Sequence, residues 1–115
     1  MKRGEIYTAD LNPAEGSEQS GNRPVVVVSR NAINDNSPVV LVVPCTTYWG
    51  QRVYPSQVRL NAGEGGLRQD SVAMSEQVRA IDKRRLRERW GALSPEALGQ
   101  LDRALLIALD LPGQF

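Results

Sequence analysis

The 115 residues predict a mainly β domain, a small antiparallel barrel or strongly bent sheet with one C-terminal helix packed on it. Three observations carry that expectation. The β-branched runs Val25–Val28 and Val39–Val43 are too short for helices and follow the breaks Arg23-Pro24 and Ser37-Pro38, as strands buried on both faces do. Shorter strand-like segments around them are separated by turn residues. Leu98, Leu101, Leu105 and Leu109 come after Ser94-Pro95 at helical spacing, with proline at the first helical position.

In chain order, Glu5 to Ala9 reads as a first strand, and Leu11 to Asn22 as a long polar loop feeding the Val25–Val28 strand. Arg30 to Ser37, with Asn31, Asn34, Asp35 and Asn36, is a connection rich in turn formers. The Val39–Val43 strand opens at Thr46 into a second polar loop that runs to Ser56. Gln57 to Leu60 and Val72 to Val78 read as weaker strands, with Gly63-Glu64-Gly65-Gly66 as a turn before the second. Asp82 is placed to cap a short helix through Arg89, ahead of Gly91. Trp90 and the leucines of the last helix are expected in the core, and Pro112-Gly113 stops that helix.

Length and composition describe one domain, residues 1–115, able to bury roughly two-thirds of its surface without staples. Apolar residues at 41% and charged residues at 23% are those of an ordinary globular protein. The longest apolar stretch, Val39 to Cys45 with its proline counted, is far short of the roughly 20 residues of a membrane span. Met1-Lys2-Arg3 leads into Gly4-Glu5 and no apolar run, unlike a secretory signal. The single cysteine, Cys45, permits no intrachain disulfide and fits a reducing compartment, so a cytoplasmic location is expected.

There is no histidine. That removes every Ser-His or Cys-His scheme and, with one cysteine, the usual zinc sets. Catalysis must therefore run on carboxylates, hydroxyls, lysine or arginine, and neither cofactor nor metal is expected. Twelve of the 14 basic residues are arginine, whose planar fork suits phosphate, although a GC-rich coding sequence gives the same bias. The net charge of +1 is spread evenly, with no basic tail to act as a nonspecific nucleic-acid arm.

The two polar loops are each close to 12 residues, a length uncommon in compact domains and often functional. Arg23 sits where the first feeds a buried strand, and Thr46 where the second leaves one. If those strands share a sheet, Glu18, Arg23 and Thr46 can converge as a carboxylate, a fork of donors and a hydroxyl. Without a metal such a set suits a phosphodiester. The plain alternative, Arg23 as a surface ion pair and Thr46 as a turn hydroxyl, stays open at this level.

At these same residues the sequence resembles the MazF/PemK family of toxin endoribonucleases. Arg3-Gly4-Glu5-Ile6-Tyr7 with Asp10-Leu11-Asn12-Pro13 is similar to the family's opening strand and turn. Gly16-Ser17-Glu18-Gln19 followed by Asn22-Arg23-Pro24 is similar to its most diagnostic segment, and Val43-Pro44-Cys45-Thr46-Thr47 to its second active-site segment. Asp70-Ser71-Val72, Glu76-Gln77-Val78-Arg79 and Ile81-Asp82 match its later strand. The resemblance implies an SH3-like barrel of the kind shared by MazF, Kid and CcdB toxins, working as a homodimer. It implies metal-independent, sequence-specific cleavage of single-stranded RNA, and inhibition by a cognate antitoxin whose disordered acidic tail fills the RNA groove. The family's catalytic arginine falls on Arg23 and its catalytic threonine on Thr46, with Glu18 as the acidic residue of its segment.

The chemistry that fits is attack of a ribose 2′-hydroxyl on the adjacent phosphate, leaving a 2′,3′-cyclic phosphate and a 5′-hydroxyl. Neutralising a guanidinium at pH 7 costs roughly 7.5 kcal/mol, which favours Arg23 as a charged phosphate clamp and leaves Glu18 as the candidate base. Tyr48, Trp49 and Arg52 are candidates for stacking on bases, and Ser17, Gln19, Thr47, Gln77 and Arg79 for contacts to base edges or phosphates. The Arg84-Arg85-Arg87-Arg89 cluster is either a solvated face or a surface for an acidic partner. Three rival readings remain: a non-cleaving RNA- or protein-binding barrel, a CcdB-like topoisomerase inhibitor, and a metal nuclease built on Asp10, Glu15 and Glu18.

Overall fold

Three strands lie where the opening segment and the valine runs place them: β1 (Glu5–Asp10), β2 (Asn22–Val27) and β3 (Val39–Thr47). The computed structural model describes residues 1–113. β4 (Gln57–Leu60), β5 (Ser71–Met74), β6 (Arg79–Asp82) and β7 (Leu86–Ala92) complete a seven-stranded antiparallel sheet. Its order is β4-β5-β3-β2-β1-β7, with β6 also paired to β3. A short helix, α1 (Asn31–Asn36), lies between β2 and β3. The helix α2 (Pro95–Ala108) packs across the sheet, started by Ser94, whose hydroxyl accepts the Ala97 N–H, with proline just inside.

β3 organises the sheet because it changes partners along its length. Val39–Val42 pair with β6, Val42–Pro44 with β2, and Cys45–Thr47 with β5. The registers of β5 and β6 on β3 differ by three residues, and the 3₁₀ turn Ser75–Gln77 between them takes up that excess. The expected strand Val72–Val78 therefore ends at Met74. Thr46 and Thr47 are the last residues of β3 and not the first of a loop, which fixes their direction.

The core forms on both faces of β2. Val26 and Val28 join Ile6, Val43, Cys45, Leu60 and Leu101 beneath α2, while Val25 and Val27 join Leu11, Val40, Val42 and Ile81 on the other side. β2 is thus buried on both faces, as expected. β3 is not: Val39 and Leu41 are 38% and 40% exposed, since no other described residue covers that face of its first half.

Two further expectations are corrected. The Arg30–Ser37 connection is not only turns, because it holds α1, kept in place by the buried Asn34, whose amide donates to the Ser29 carbonyl at 2.8 Å. The helix expected from Asp82 to Arg89 does not form. Asp82 does cap, accepting the Arg84 N–H at 2.8 Å, but the residues after it form a single 3₁₀ turn, Lys83–Arg85, and then β7. Leu86 and Trp90 are half-buried against the two different core clusters, Arg87, Glu88 and Arg89 between them are exposed, and irregular register against β1 breaks the alternation that marks a strand in sequence. Pairing with β1, Glu5 to Ala92 and Ile6 to Gly91, outweighs the helical propensity of the arginines.

Candidate active site

A fork in the sheet makes the site. β2 and β3 pair through Val25–Pro44, and the same register carried two residues further sets Arg23 across from Thr46. No pairing holds the strands together there. Beyond Val25–Pro44 each strand stays paired only along its other edge, Thr46 to Val72 of β5 and Arg23 to Ala9 of β1, and the facing edges part. Pro24 and Pro44 lie at the parting, and neither has an N–H to give a ladder. Residues opposite one another in an antiparallel pair point to the same face, so the register, carried past its last pair, sets Thr46 on the face of Arg23. The Thr47 hydroxyl donates to Gln69 Oε1 at 2.9 Å.

The parted strands wall a cavity of about 260 Å³ lined by Asn22, Arg23, Pro24, Cys45, Thr46 and Thr47, and closed by Leu67, Arg68, Gln69, Ser71 and Trp90. Arg23 donates from Nε to the Ser20 carbonyl at 3.0 Å, which anchors the guanidinium and leaves its two Nη groups for a ligand. Arg23 makes no ion pair among the described residues. Among the described residues two guanidinium groups and no carboxylate line the cavity, so its field favours an anion. Cys45 is fully buried, and burial pushes its thiol up to about 12, so it packs as a neutral group and is no nucleophile at pH 7.

Within the wall formed by Leu67, Arg68, Gln69, Ser71 and Trp90, the part from Leu67 to Gln69 leaves no signal in the sequence, from which Trp90 is expected in the core. It is half-buried against the core and also lines the cavity. Glycines bring the two parts together. Gly66 has φ +82°, and a Cβ there would lie 2.3 Å from the Trp90 carbonyl oxygen; one on Gly91 would lie 2.7 Å from that of Gly65. Only glycine lets the Glu64–Gly66 turn press so closely on β7.

Glu18 lies elsewhere. With Ser17, Gln19, Pro44, Glu76, Gln77, Val78 and Arg79 it lines an adjoining cavity of about 460 Å³, and its carboxylate accepts the Glu15 N–H at 2.7 Å. Pro44 lines this cavity and Cys45 to Thr47 the other, so the two sit side by side along β3. The first loop is firmly built. Gln77 accepts the Gln19 N–H at 2.8 Å and donates to the Ser17 carbonyl at 3.3 Å, Arg79 donates to the Leu11 carbonyl at 3.2 Å, and Arg85 to those of Asp10 and Asn12. Gln19 Oε1 is buried without a partner among the described residues. Among the described residues no three carboxylate, thiol or imidazole groups form a metal-holding cluster, and Asp10 accepts the Asn12 N–H.

The second loop carries exposed aromatic faces. Trp49 is 78% exposed, the Arg52 guanidinium lies 4.7 Å from the Tyr54 ring centre, and Arg59 lies 4.2 Å from that of Tyr48. The arginine cluster is largely committed within the fold: Arg84 pairs with Asp82, Arg85 with loop carbonyls, and Arg89 with Glu5 at 2.6 Å.

Fold and site together define a small β protein with an anion-seeking, carboxylate-free cleft at a strand fork. Residues 2–109 match the model of the PemK-like, MazF-like toxins of type II toxin–antitoxin systems, and the chain belongs to that family. An endoribonuclease MazF of Staphylococcus saprophyticus is 39% identical over 111 residues, 96% of this chain and 92% of the relative. A mycobacterial endoribonuclease solved in complex with its cognate antitoxin superposes with TM-score 0.81 at 27% identity, over 99% of both chains. MazF from Deinococcus radiodurans gives TM-score 0.81 at 26% identity, over 96% of this chain and 97% of that one. No helix among the described residues is long and apolar enough to cross a membrane.

Proposed function

We propose that this toxin-family chain, an endoribonuclease, cuts single-stranded RNA without a metal by attack of a ribose 2′-hydroxyl on the neighbouring phosphate. The observation that carries the reading is the placement of Arg23 and Thr46 across the strand fork in one carboxylate-free cavity. The bond formed joins the 2′-oxygen to phosphorus as its proton passes to the base, and the bond broken joins phosphorus to the 5′-oxygen, which takes a proton from water as it leaves. The products are a 2′,3′-cyclic phosphate and a 5′-hydroxyl. With its Nε held by Ser20, Arg23 offers two Nη donors to the nonbridging oxygens, which gain charge in the transition state. Thr46 holds one of those oxygens through its hydroxyl.

Glu18 is the candidate base for the 2′-hydroxyl. To act so it must exchange the Glu15 N–H for the substrate, since its carboxylate is engaged in the adjoining cavity. Ser17, Gln19, Gln77 and Arg79 hold the next nucleotide there, and Thr47, Tyr48, Trp49 and Arg52 receive bases along the second loop. The protein acts in the cytoplasm as a homodimer, and a cognate antitoxin with an acidic tail competes for the same anion-seeking cleft. The antitoxin complex of the mycobacterial relative supports that partner.

The test is incubation of the protein with a long RNA in excess EDTA, with subsequent mapping of fragment ends. Discrete cuts ending in 5′-hydroxyl and 2′,3′-cyclic phosphate are expected. Cleavage that EDTA abolishes, or 5′-phosphate ends, would overturn the scheme, and RNA bound but left intact would make the chain a binding module. Glu18→Gln is expected to slow single-turnover cleavage at least tenfold with RNA affinity held; an unchanged rate removes Glu18 from the mechanism.

A further inference from the structure

Arg68 lines the same cavity as Arg23 but belongs to none of the motifs that mark the site in sequence. Its guanidinium lies 4.4 Å from the centre of the Trp90 ring, and Trp90 lines the cavity as well. Stacking on an indole fixes the plane of the fork without engaging its N–H donors. The other partner of Arg68 is Glu88 at 3.3 Å, with the two side chains 67% and 65% exposed. An ion pair so open to solvent is worth little and gives way readily to a phosphate.

From this geometry we infer that Arg68 is a second phosphate-binding arginine, gripping the RNA backbone in the cavity opposite Arg23, with Trp90 as the residue that positions it. The inference rests on the RNA-cleaving reading of the cleft and deepens it. A phosphodiester carries one charge in its ground state and gains more as the 2′-oxygen adds. A cavity with one guanidinium on the strand fork and another on the facing wall is matched to that change. The two hold their planes by different means, Arg23 through the Ser20 carbonyl and Arg68 through the indole face. Neither has a carboxylate of the cavity to compete with the substrate. Arg59 and Arg52 are also stacked on aromatic rings, but they lie outside this cavity and have no such claim on the reacting phosphate.

The experiment compares wild type with Arg68→Ala, Arg68→Lys and Glu88→Gln, each checked for an unchanged melting temperature. Binding is measured from low to moderate salt on an RNA with one 2′-deoxy nucleotide at the mapped cut, and cleavage by single turnover on the all-RNA strand. Loss of one phosphate contact on a single strand lowers the slope of log affinity against log salt by about 0.7. That drop is expected for Arg68→Ala, with cleavage at least tenfold slower. Arg68→Lys is expected to restore the slope but not the rate, because a lysine keeps the charge and loses the stacked fork. Glu88→Gln is expected to bind and cut at least as well as wild type. An Arg68→Ala slope and rate equal to wild type would overturn the inference. So would a Glu88→Gln loss as large as that of Arg68→Ala, since the ion pair would then be what mattered. A wild type that binds with the expected slope difference yet cuts nothing would refute the cleavage reading and leave Arg68 as a phosphate contact; one that binds no RNA refutes both.

Discussion

Replacing Arg23 tests the site most directly, because the structure separates what its atoms do. Nε holds the Ser20 carbonyl at 3.0 Å, while the two Nη groups make no ion pair among the described residues and face the cavity shared with Thr46. In Arg23→Ala the lost hydrogen bond is to a carbonyl near the surface and costs about 1 kcal/mol, too little to unfold a domain stable by roughly 5–15 kcal/mol. The lost Nη donors are another matter. Removing one donor from a preorganised oxyanion site slows reaction by about 10² to 10³, so Arg23→Ala is expected to be at least about 100-fold slower. Arg23→Lys separates charge from geometry. One ammonium cannot keep the Ser20 anchor and also span two phosphate oxygens, so its rate falls between alanine and wild type while the salt dependence of binding is kept. The assay is single-turnover cleavage of end-labelled RNA at saturating enzyme in EDTA. If Arg23→Ala, folded by its melting curve, cuts within threefold of wild type, the phosphate-clamp argument is refuted.

Thr46→Val keeps shape and removes the hydroxyl, so a tenfold or greater loss of rate at saturating enzyme with unchanged melting temperature is expected, while Thr47→Val, at a side chain whose hydroxyl donates to Gln69, is expected to weaken RNA binding and leave the saturated rate within threefold; equal losses of rate would contradict that division of roles. Cys45, with its thiol pushed up to about 12 by burial, is expected to react with a thiol reagent at pH 8 only on the unfolding timescale, and prompt labelling of the native protein would contradict its burial. Burial pushes the Glu5 carboxyl up, but the hydrogen bonds from Arg89 and the Lys2 N–H outweigh it and hold it below its ordinary 4.5. A depressed folded value stabilises above the unfolded one and is lost as pH falls through the folded one. Wild type is therefore expected to exceed Glu5→Gln by about 1 kcal/mol or less at pH 7, discounted because Arg89 is half exposed, with the gap closing below pH 4.5 in pH-dependent melting. A gap that widens in acid would reverse the sign.

Much of the fold can be read locally. Val25–Val28 announces β2 and the Ser94-Pro95 start with its leucines announces α2, because burial and capping leave their marks on neighbouring residues. β7 is hidden for the same reason in reverse: Arg84 to Arg89 carries charge at nearly every position, so the inward turns of Leu86 and Trp90 do not stand out from helical spacing. The site divides similarly. Arg23 and Thr46 stand out at the ends of strands, but that both line one cavity depends on register, and register is set by pairing partners far apart in sequence. Arg68 and Trp90 leave no local mark at all, since they meet only where the Gly65-Gly66 turn presses on β7.

The site thereby depends on long-range pairings more than on any one segment. Arg23 is positioned by β1 and the Ser20 carbonyl, Thr46 by β5, and the far wall by a glycine turn seated on β7. None of these supports is next to another in the chain, so no fragment of the protein can hold the cavity. The dependence also runs the other way. Two guanidiniums face a cavity that offers them no carboxylate, and an anion bound between them relieves that repulsion in the folded state alone. Under the proposed function, phosphate backbone and acidic peptide would satisfy this requirement through the same donors, and substrate and antitoxin would then exclude one another. A cleft built to tighten on the growing charge of a transition state is, for that reason, one that a string of carboxylates can block.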